Sequence, residues 1–162
     1  MNIQELNRLI EKFKEEQICC DKIIDYIKKQ KDLKKVIELA ALARDENGIK
    51  HNHQRLIPDF ILNKFKKSIL KDNIIEEIKN AKHFDKIYTI IEEHRIKGIR
   101  ELTIYDIAHR IGIYINKFPD KIYLHRGARV GAEKLLGRKI KDKYILREIL
   151  PESLKSGDLT CA

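Results

Sequence analysis

The sequence predicts an all-α protein, a compact bundle of several helices. Apolar residues recur at three- and four-residue steps through most of the chain, which is the period of an amphipathic helix. The alternation typical of a half-buried strand is confined to KIYLH at 121–125. A length of 162 residues fits one domain with a buried core, so we expect a single helical domain over 1–162.

The helices can be assigned in order from apolar spacing and cap residues. The first two are indicated by apolar stripes, at Ile3, Leu6, Ile10 and Phe13 and then at Ile23, Ile24 and Ile27. A third helix within 31–48 should end at the cap Asn47-Gly48. Pro58 suits the first turn of a fourth helix, and NIIEEIKNAK and FDKIYTIIEEHR predict two more after Asp72-Asn73.

Positive charge is concentrated in one part of the chain. Residues 94–147 hold 14 Lys and Arg against 5 Asp and Glu, a surplus of 9 that equals the net charge of the whole chain. We therefore divide the domain into a charge-balanced scaffold (1–94), a basic part (95–147) and a tail (148–162). A segregated basic region is typical of nucleic-acid binding. The alternative is a basic surface acquired by drift in a lysine-rich proteome.

A glycine corner precedes a helix in the stretch IKGIRELTIYDIAHRIG, residues 96–112. Thr103 and Asp106 have the spacing of a capping box, so the helix should begin at Thr103 and stop at Gly112. The corner resembles the helix-hairpin-helix family of DNA-binding modules, because Ile96, Gly98, Ile99 and Thr103 stand at matching offsets. Arg100 occupies the place of the family's second glycine.

The resemblance implies a phosphate site made by backbone amides of the corner and by the start of the following helix. That site would comprise Lys97, Gly98, Ile99, Arg100 and Thr103. Two other interpretations stay open: a helix-turn-helix indicated by Asp106-Ile107-Ala108 and Gly112, and a purely structural corner.

A second glycine-rich stretch, YLHRGARVGAEKLLGRK at 123–139, combines glycines and arginines ahead of the helix AEKLL, which should end at Gly137. Such a composition is typical of a turn that cradles phosphate. We expect the following residues to contact phosphate: His125, Arg126, Gly127, Arg129 and Gly131. The spacing matches neither a P-loop nor a dinucleotide fingerprint, so we expect no cofactor. The alternative is a loop whose glycines allow close helix packing. The longer run from RIKGIRELT through HRGARVGA, residues 95–132, also resembles small bacterial proteins of about this length, a group that implies no function.

Histidines provide the candidates for catalysis. His51 and His53 lie in KHNHQR, and His125 lies in the basic part; Asp106 is a possible partner for acid–base chemistry. His51 and His53 do not share a helix face at this spacing and would need further ligands to hold zinc, so we expect no metal site. A polar surface patch is the alternative.

These observations predict a protein that binds nucleic acid, DNA in the first instance, through backbone phosphates and with little sequence preference. The first alternative is a small enzyme that acts on nucleic acid or nucleotides with a histidine general base. The second is a regulatory protein, for example of a defence system or mobile element, with a basic partner-binding face. No apolar run could span a membrane, the charged N-terminus does not resemble a signal peptide, and three cysteines form no disulfide framework, so we expect a cytoplasmic protein.

Overall fold

A computed structural model describes residues 3–15 and 22–155, and their secondary structure is mostly α-helical, which confirms the all-α prediction. The helices of the described residues are α1 (Ile3–Glu15), α2 (Lys22–Lys28), α3 (Leu33–Leu42), α4 (Asp59–Ile69), α5 (Asp72–Lys79), α6 (Phe84–Glu93), α7 (Glu101–Tyr114) and α8 (Arg126–Leu136). None of these helices combines the length and apolar composition needed to cross a bilayer.

The chain divides into two compact units. The central unit comprises residues 21–119, and the terminal unit combines residues 1–20 with residues 120–162. The boundaries predicted from charge, at 94/95 and 147/148, therefore fall inside these units rather than between them.

The central unit is a bundle in which α7 packs against α6, α3 and α2. Small residues of two of these helices, Ala40 and Ala41 in α3 and Ala108 in α7, are fully buried, and small side chains allow packed helices to approach closely. Isoleucines fill most of the remaining core, since Ile37, Ile104, Ile107 and Ile111 are also inaccessible to solvent. This packing fixes the side of α7 that carries the polar residues discussed below.

Two helix ends differ from the predictions. Helix α3 ends at Leu42 and not at Asn47-Gly48, and its C-cap residue Ala43 adopts a left-handed conformation with φ of 52°. Asn47 and Gly48 instead belong to a tight turn, in which Asp45 Oδ1 accepts hydrogen bonds from the N–H groups of Asn47 and Ile49, both at 2.9 Å. Helix α7 does not stop at Gly112, whose missing side chain makes room for the carbonyl of Lys117.

In the terminal unit, two short antiparallel strands flank α8. Strand β1 (Lys121–Tyr123) pairs with β2 (Tyr144–Leu146), with Ile122 opposite Ile145. The alternation in KIYLH therefore does mark a strand, whereas β2 was not predicted. A small core of Leu124, Ala132, Ile140 and Ile145 holds α8 against the segments around the strands. Helix α1 contacts a 3₁₀ turn at Glu152–Leu154.

Candidate functional site

The corner at 96–99 is a hydrogen-bonded turn. The N–H of Ile99 donates to the carbonyl of Ile96 at 3.1 Å, and Gly98 has φ of +98°, as the third residue of a type II turn requires. A Cβ on Gly98 would lie 2.8 Å from Cδ1 of Ile61 in α4. The fold itself therefore explains this glycine. The N–H group of Ile99 is already used within this turn, and a phosphate site at the corner stays a prediction.

The start of α7 also differs from the prediction. Arg100 is the N-cap residue with an extended backbone, so the arginine at the second family glycine carries no left-handed strain. Thr103 is the third residue of the helix and its side chain is buried in the core, so it does not cap the helix. Asp106 does not complete a capping box either. Lys97 and Arg100 are exposed beside this end of α7.

The second glycine-rich stretch is a helix and not a loop. Helix α8 begins at Arg126 with His125 as N-cap residue, so Gly127 and Gly131 lie within it. The predicted stop at Gly137 is confirmed, since that residue is a left-handed C-cap with φ of 65°. Buried Ala132, together with partly buried Ala128 and Leu136, holds the segment helical in spite of its glycines.

Arg129 has a structural part that the sequence did not reveal. Its guanidinium donates to the carbonyls of Ile140 and Leu124, the second at 3.1 Å, and so ties α8 to the segments on both sides. Arg129 therefore contributes to the fold, and its contact with a phosphate stays a prediction.

One face of α8 is open to solvent and basic. Its exposed residues are Arg126, Gly127, Val130, Gly131 and Lys134, and exposed Arg138 follows just after the C-cap residue Gly137. A Cβ on Gly131 would meet nothing within 4 Å, and one on Gly127 would make only ordinary contact with the ring of His125, at 3.6 Å. Among the described residues, Arg126, Lys134 and Arg138 have no acidic partner in an ion pair. We call this surface the α8 face.

The second cluster joins the loop before α4 to α7. His53 Nδ1 lies 3.0 Å from Asp106 Oδ2, and the Asp106 side chain is only 13% exposed whereas that of His53 is 49% exposed. A carboxylate on Nδ1 fixes the orientation of the ring and leaves the other ring nitrogen to act on a ligand. His53 therefore contacts Asp106 directly, and an acid–base role for this pair stays a prediction.

Two buried polar residues, Gln54 and Arg110, form a chain of hydrogen bonds that ends at Asp106. Gln54 is fully buried, and its Nε2 donates to Asp106 Oδ2 at 2.5 Å while its Oε1 accepts from Arg110 at 3.4 Å. Arg110 is 1% exposed, lies one helical turn after Asp106 and donates to the carbonyl of Ala40 at 3.5 Å. Burial of a guanidinium raises the free energy of the folded state unless the group is hydrogen-bonded, and the contacts with Gln54 and Ala40 provide these hydrogen bonds for Arg110.

His51 completes the cluster. Its ring meets that of His53 edge to face with centroids 4.7 Å apart, and one ligand atom each of His51, His53 and Asp106 all lie within 4.8 Å of one another. Asp106 is therefore the third residue whose donor atom lies close to those of the two histidines. His125 belongs to the terminal unit, where it precedes α8. We call the three residues together the histidine cluster.

Sequence reasoning missed Gln54 and Arg110. A signal for Arg110 was present, because it occupies a core position of α7 between Ile107 and Ile111 and so interrupts an apolar stripe. Nothing local singles out Gln54, whose burial results from the docking of its loop on α7.

Comparison with family models, curated proteins and solved structures finds no match to this chain.

Proposed function

We propose that the protein binds the phosphate backbone of nucleic acid through the α8 face. The observation that carries this proposal is an exposed helix surface with cations and with glycines that have no packing role. Glycine in a helix interior costs about 0.5–1 kcal/mol relative to alanine. Within the described residues, no neighbour requires a glycine at 131, which is surrounded by open space.

The chemistry of the α8 face fits a polyanion. Residues 120–147 hold nine Lys and Arg against three Asp and Glu, so most of the surplus charge surrounds this helix. Arg126, Lys134 and Arg138 can donate to phosphate oxygens, and arginine does so with a planar fork. Gly127 and Gly131 would let a sugar–phosphate chain lie close to the helix backbone. Lys97 and Arg100, exposed in the central unit, are candidates for additional phosphate contacts.

The test is a titration of the full chain with fluorescent duplex DNA, single-stranded DNA and RNA at several salt concentrations. If roughly 4 to 6 phosphates are neutralised, the log–log slope of the duplex binding constant against salt should be about −4 to −5. Arg126→Ala should weaken binding to all duplex sequences alike and reduce the slope by about one. Lys86→Ala, an exposed lysine of α6, is the matched control and should change neither quantity by more than the measurement error.

Gly131→Ala separates this proposal from a merely basic surface. The substitution leaves the charge unchanged and adds one methyl group to the α8 face, so it should weaken duplex binding several-fold without a change in salt slope. A slope near zero for the parent chain, or equal losses in Arg126→Ala and Lys86→Ala, would refute the proposal.

A second candidate function is an enzyme with a histidine general base. The pairing of His53 with a largely buried carboxylate supports it, since such pairs orient imidazole for proton transfer. It predicts hydrolysis of a nucleic acid or nucleotide that His53→Ala abolishes while His83→Ala, at the exposed N-cap of α6, retains it. The absence of any turnover difference between these two variants would exclude a catalytic His53.

A further inference from the structure

We propose that the histidine cluster binds a divalent transition-metal ion, with zinc as the reference ion. The ligands would be His51, His53 and Asp106, two imidazoles and a carboxylate. The inference does not rest on nucleic-acid binding, because every residue that carries it lies in the central unit and outside the α8 face.

The separations suit a metal after a small contraction. Ligand atoms of a four-coordinate zinc ion lie about 3.3 Å apart, given bonds of about 2.0–2.1 Å. His53 Nδ1 and Asp106 Oδ2 are already 3.0 Å apart, and all three ligand atoms lie within 4.8 Å of one another. His51 lies in a segment of turns between α3 and α4, where a backbone adjustment costs less than it would within a helix. A metal ion would replace the hydrogen bond between His53 Nδ1 and Asp106 Oδ2.

The surroundings resemble those of a built metal site. Gln54 donates to Asp106 and is held in turn by buried Arg110, so the carboxylate is oriented by an outer shell of hydrogen bonds. The chemistry of the ligands also sets the class of ion. Imidazole favours zinc and its neighbours over magnesium and calcium, which prefer oxygen ligands. Three protein ligands leave a fourth position for water or another ligand, as in catalytic and not in closed structural zinc sites.

The experiment is a calorimetric titration of Zn²⁺ into the full chain, without affinity tag and after treatment with chelator. Because thiolates also bind zinc, Cys19, Cys20 and Cys161 are replaced by serine in every sample. We expect one ion per chain with a dissociation constant of micromolar or below. His51→Ala, His53→Ala and Asp106→Asn should each weaken binding at least tenfold, while His83→Ala, an exposed histidine outside the cluster, should leave it unchanged.

Circular dichroism of each variant distinguishes loss of ligand from loss of fold. His51→Ala is the decisive variant if Asp106→Asn unfolds, because the hydrogen bonds from Gln54 to Asp106 and from Arg110 to Gln54 do not involve His51. A folded His51→Ala chain that binds Zn²⁺ as tightly as the parent would overturn the proposal. A parent chain that binds no Zn²⁺, or a His53→Ala variant that binds it as tightly as the parent, would overturn it as well. If binding of Zn²⁺ is weak and His83→Ala reduces it as much as the cluster variants do, the ion binds adventitiously at the surface, and this result would also overturn the proposal.

Discussion

Gly98 and Gly131 were predicted to serve the same purpose, yet the structure gives them opposite surroundings. Gly98 has a positive φ, closes a type II turn and faces the side chain of Ile61. Gly131 has ordinary helical geometry and open space around its missing Cβ. A glycine near arginines therefore indicates a ligand site only where neither the backbone conformation nor the packing of the fold requires a glycine. By that criterion the α8 face is the better candidate for phosphate contact.

Gly98→Ala should produce the largest change in stability. The left-handed backbone costs about 1–2 kcal/mol for an L residue, and the contact with Ile61 adds to it, for a loss of about 2–3 kcal/mol in the free energy of unfolding. Urea denaturation of the full chain measures this loss. Gly48→Ala is the matched control, since Gly48 has φ of +76° with nothing within 4 Å of an added Cβ, and should lose only the backbone part.

The contribution of the contact can be isolated by a second substitution. Ile61→Val removes the Cδ1 atom that a Cβ at position 98 would approach to 2.8 Å. In the Gly98→Ala background it should therefore recover part of the lost stability, while in the parent it costs about 0.5–1.5 kcal/mol. Equal losses for Ile61→Val in both backgrounds would show that the turn, and not the packing, requires this glycine.

Gly131→Ala should change stability less and in the opposite direction. Alanine restricts the unfolded chain and is the better helix former, so the free energy of unfolding should rise by about 0.5–1 kcal/mol. Thermal unfolding of the full chain measures the gain. Gly137→Ala at the end of the same helix should instead lose stability, because Gly137 has φ of +65°. If Gly131→Ala destabilises the chain, Gly131 has a role in the fold and the contrast with Gly98 fails.

The smallest effect concerns acid. Glu133 in α8 accepts hydrogen bonds from the N–H of Ile140 at 3.1 Å and from Lys139, and these lower the pKa of its carboxyl below the ordinary value of 4.5. A lowered pKa in the folded state contributes stability above pH 4.5 that is lost as pH falls through the folded pKa. Glu133→Gln should therefore flatten the acid limb of a stability profile measured by urea denaturation from about pH 7 to about pH 3. An unchanged limb would show that this carboxylate contributes nothing.

The helices could be predicted because their apolar period is local, and α1, α2, α4 and α6 follow it. The start of α7 could not be predicted in this way. Thr103 is a residue type that often caps helices, but its side chain is buried in the core, and tertiary burial outweighs the capping pattern. The same competition turned a predicted loop at Gly127 and Gly131 into helix. The glycines and arginines of this stretch predicted a turn that cradles phosphate, whereas Ala132 packs into a core with residues up to Ile145.

The histidine cluster was predictable only in part. Its members were named as candidates from their chemistry, but His53 and Asp106 are 53 positions apart and meet only when the loop docks on α7. Arg110 and Gln54 lie behind them for the same reason. The residue type determines which chemistry a side chain offers, whereas the long-range packing of the bundle determines which other side chains lie beside it.

The construction of the terminal unit from both ends of the sequence has a consequence during protein synthesis. Helix α1 leaves the ribosome first, but the 3₁₀ turn that it contacts is roughly 140 residues further along. At about 5–20 residues per second, the apolar stripe of α1 therefore waits for roughly 7–28 s before this contact can form. The central unit is completed during that interval. A nascent chain at that stage would hold every residue of the central unit, 21–119, while the contact of α1 with the 3₁₀ turn is still to be made.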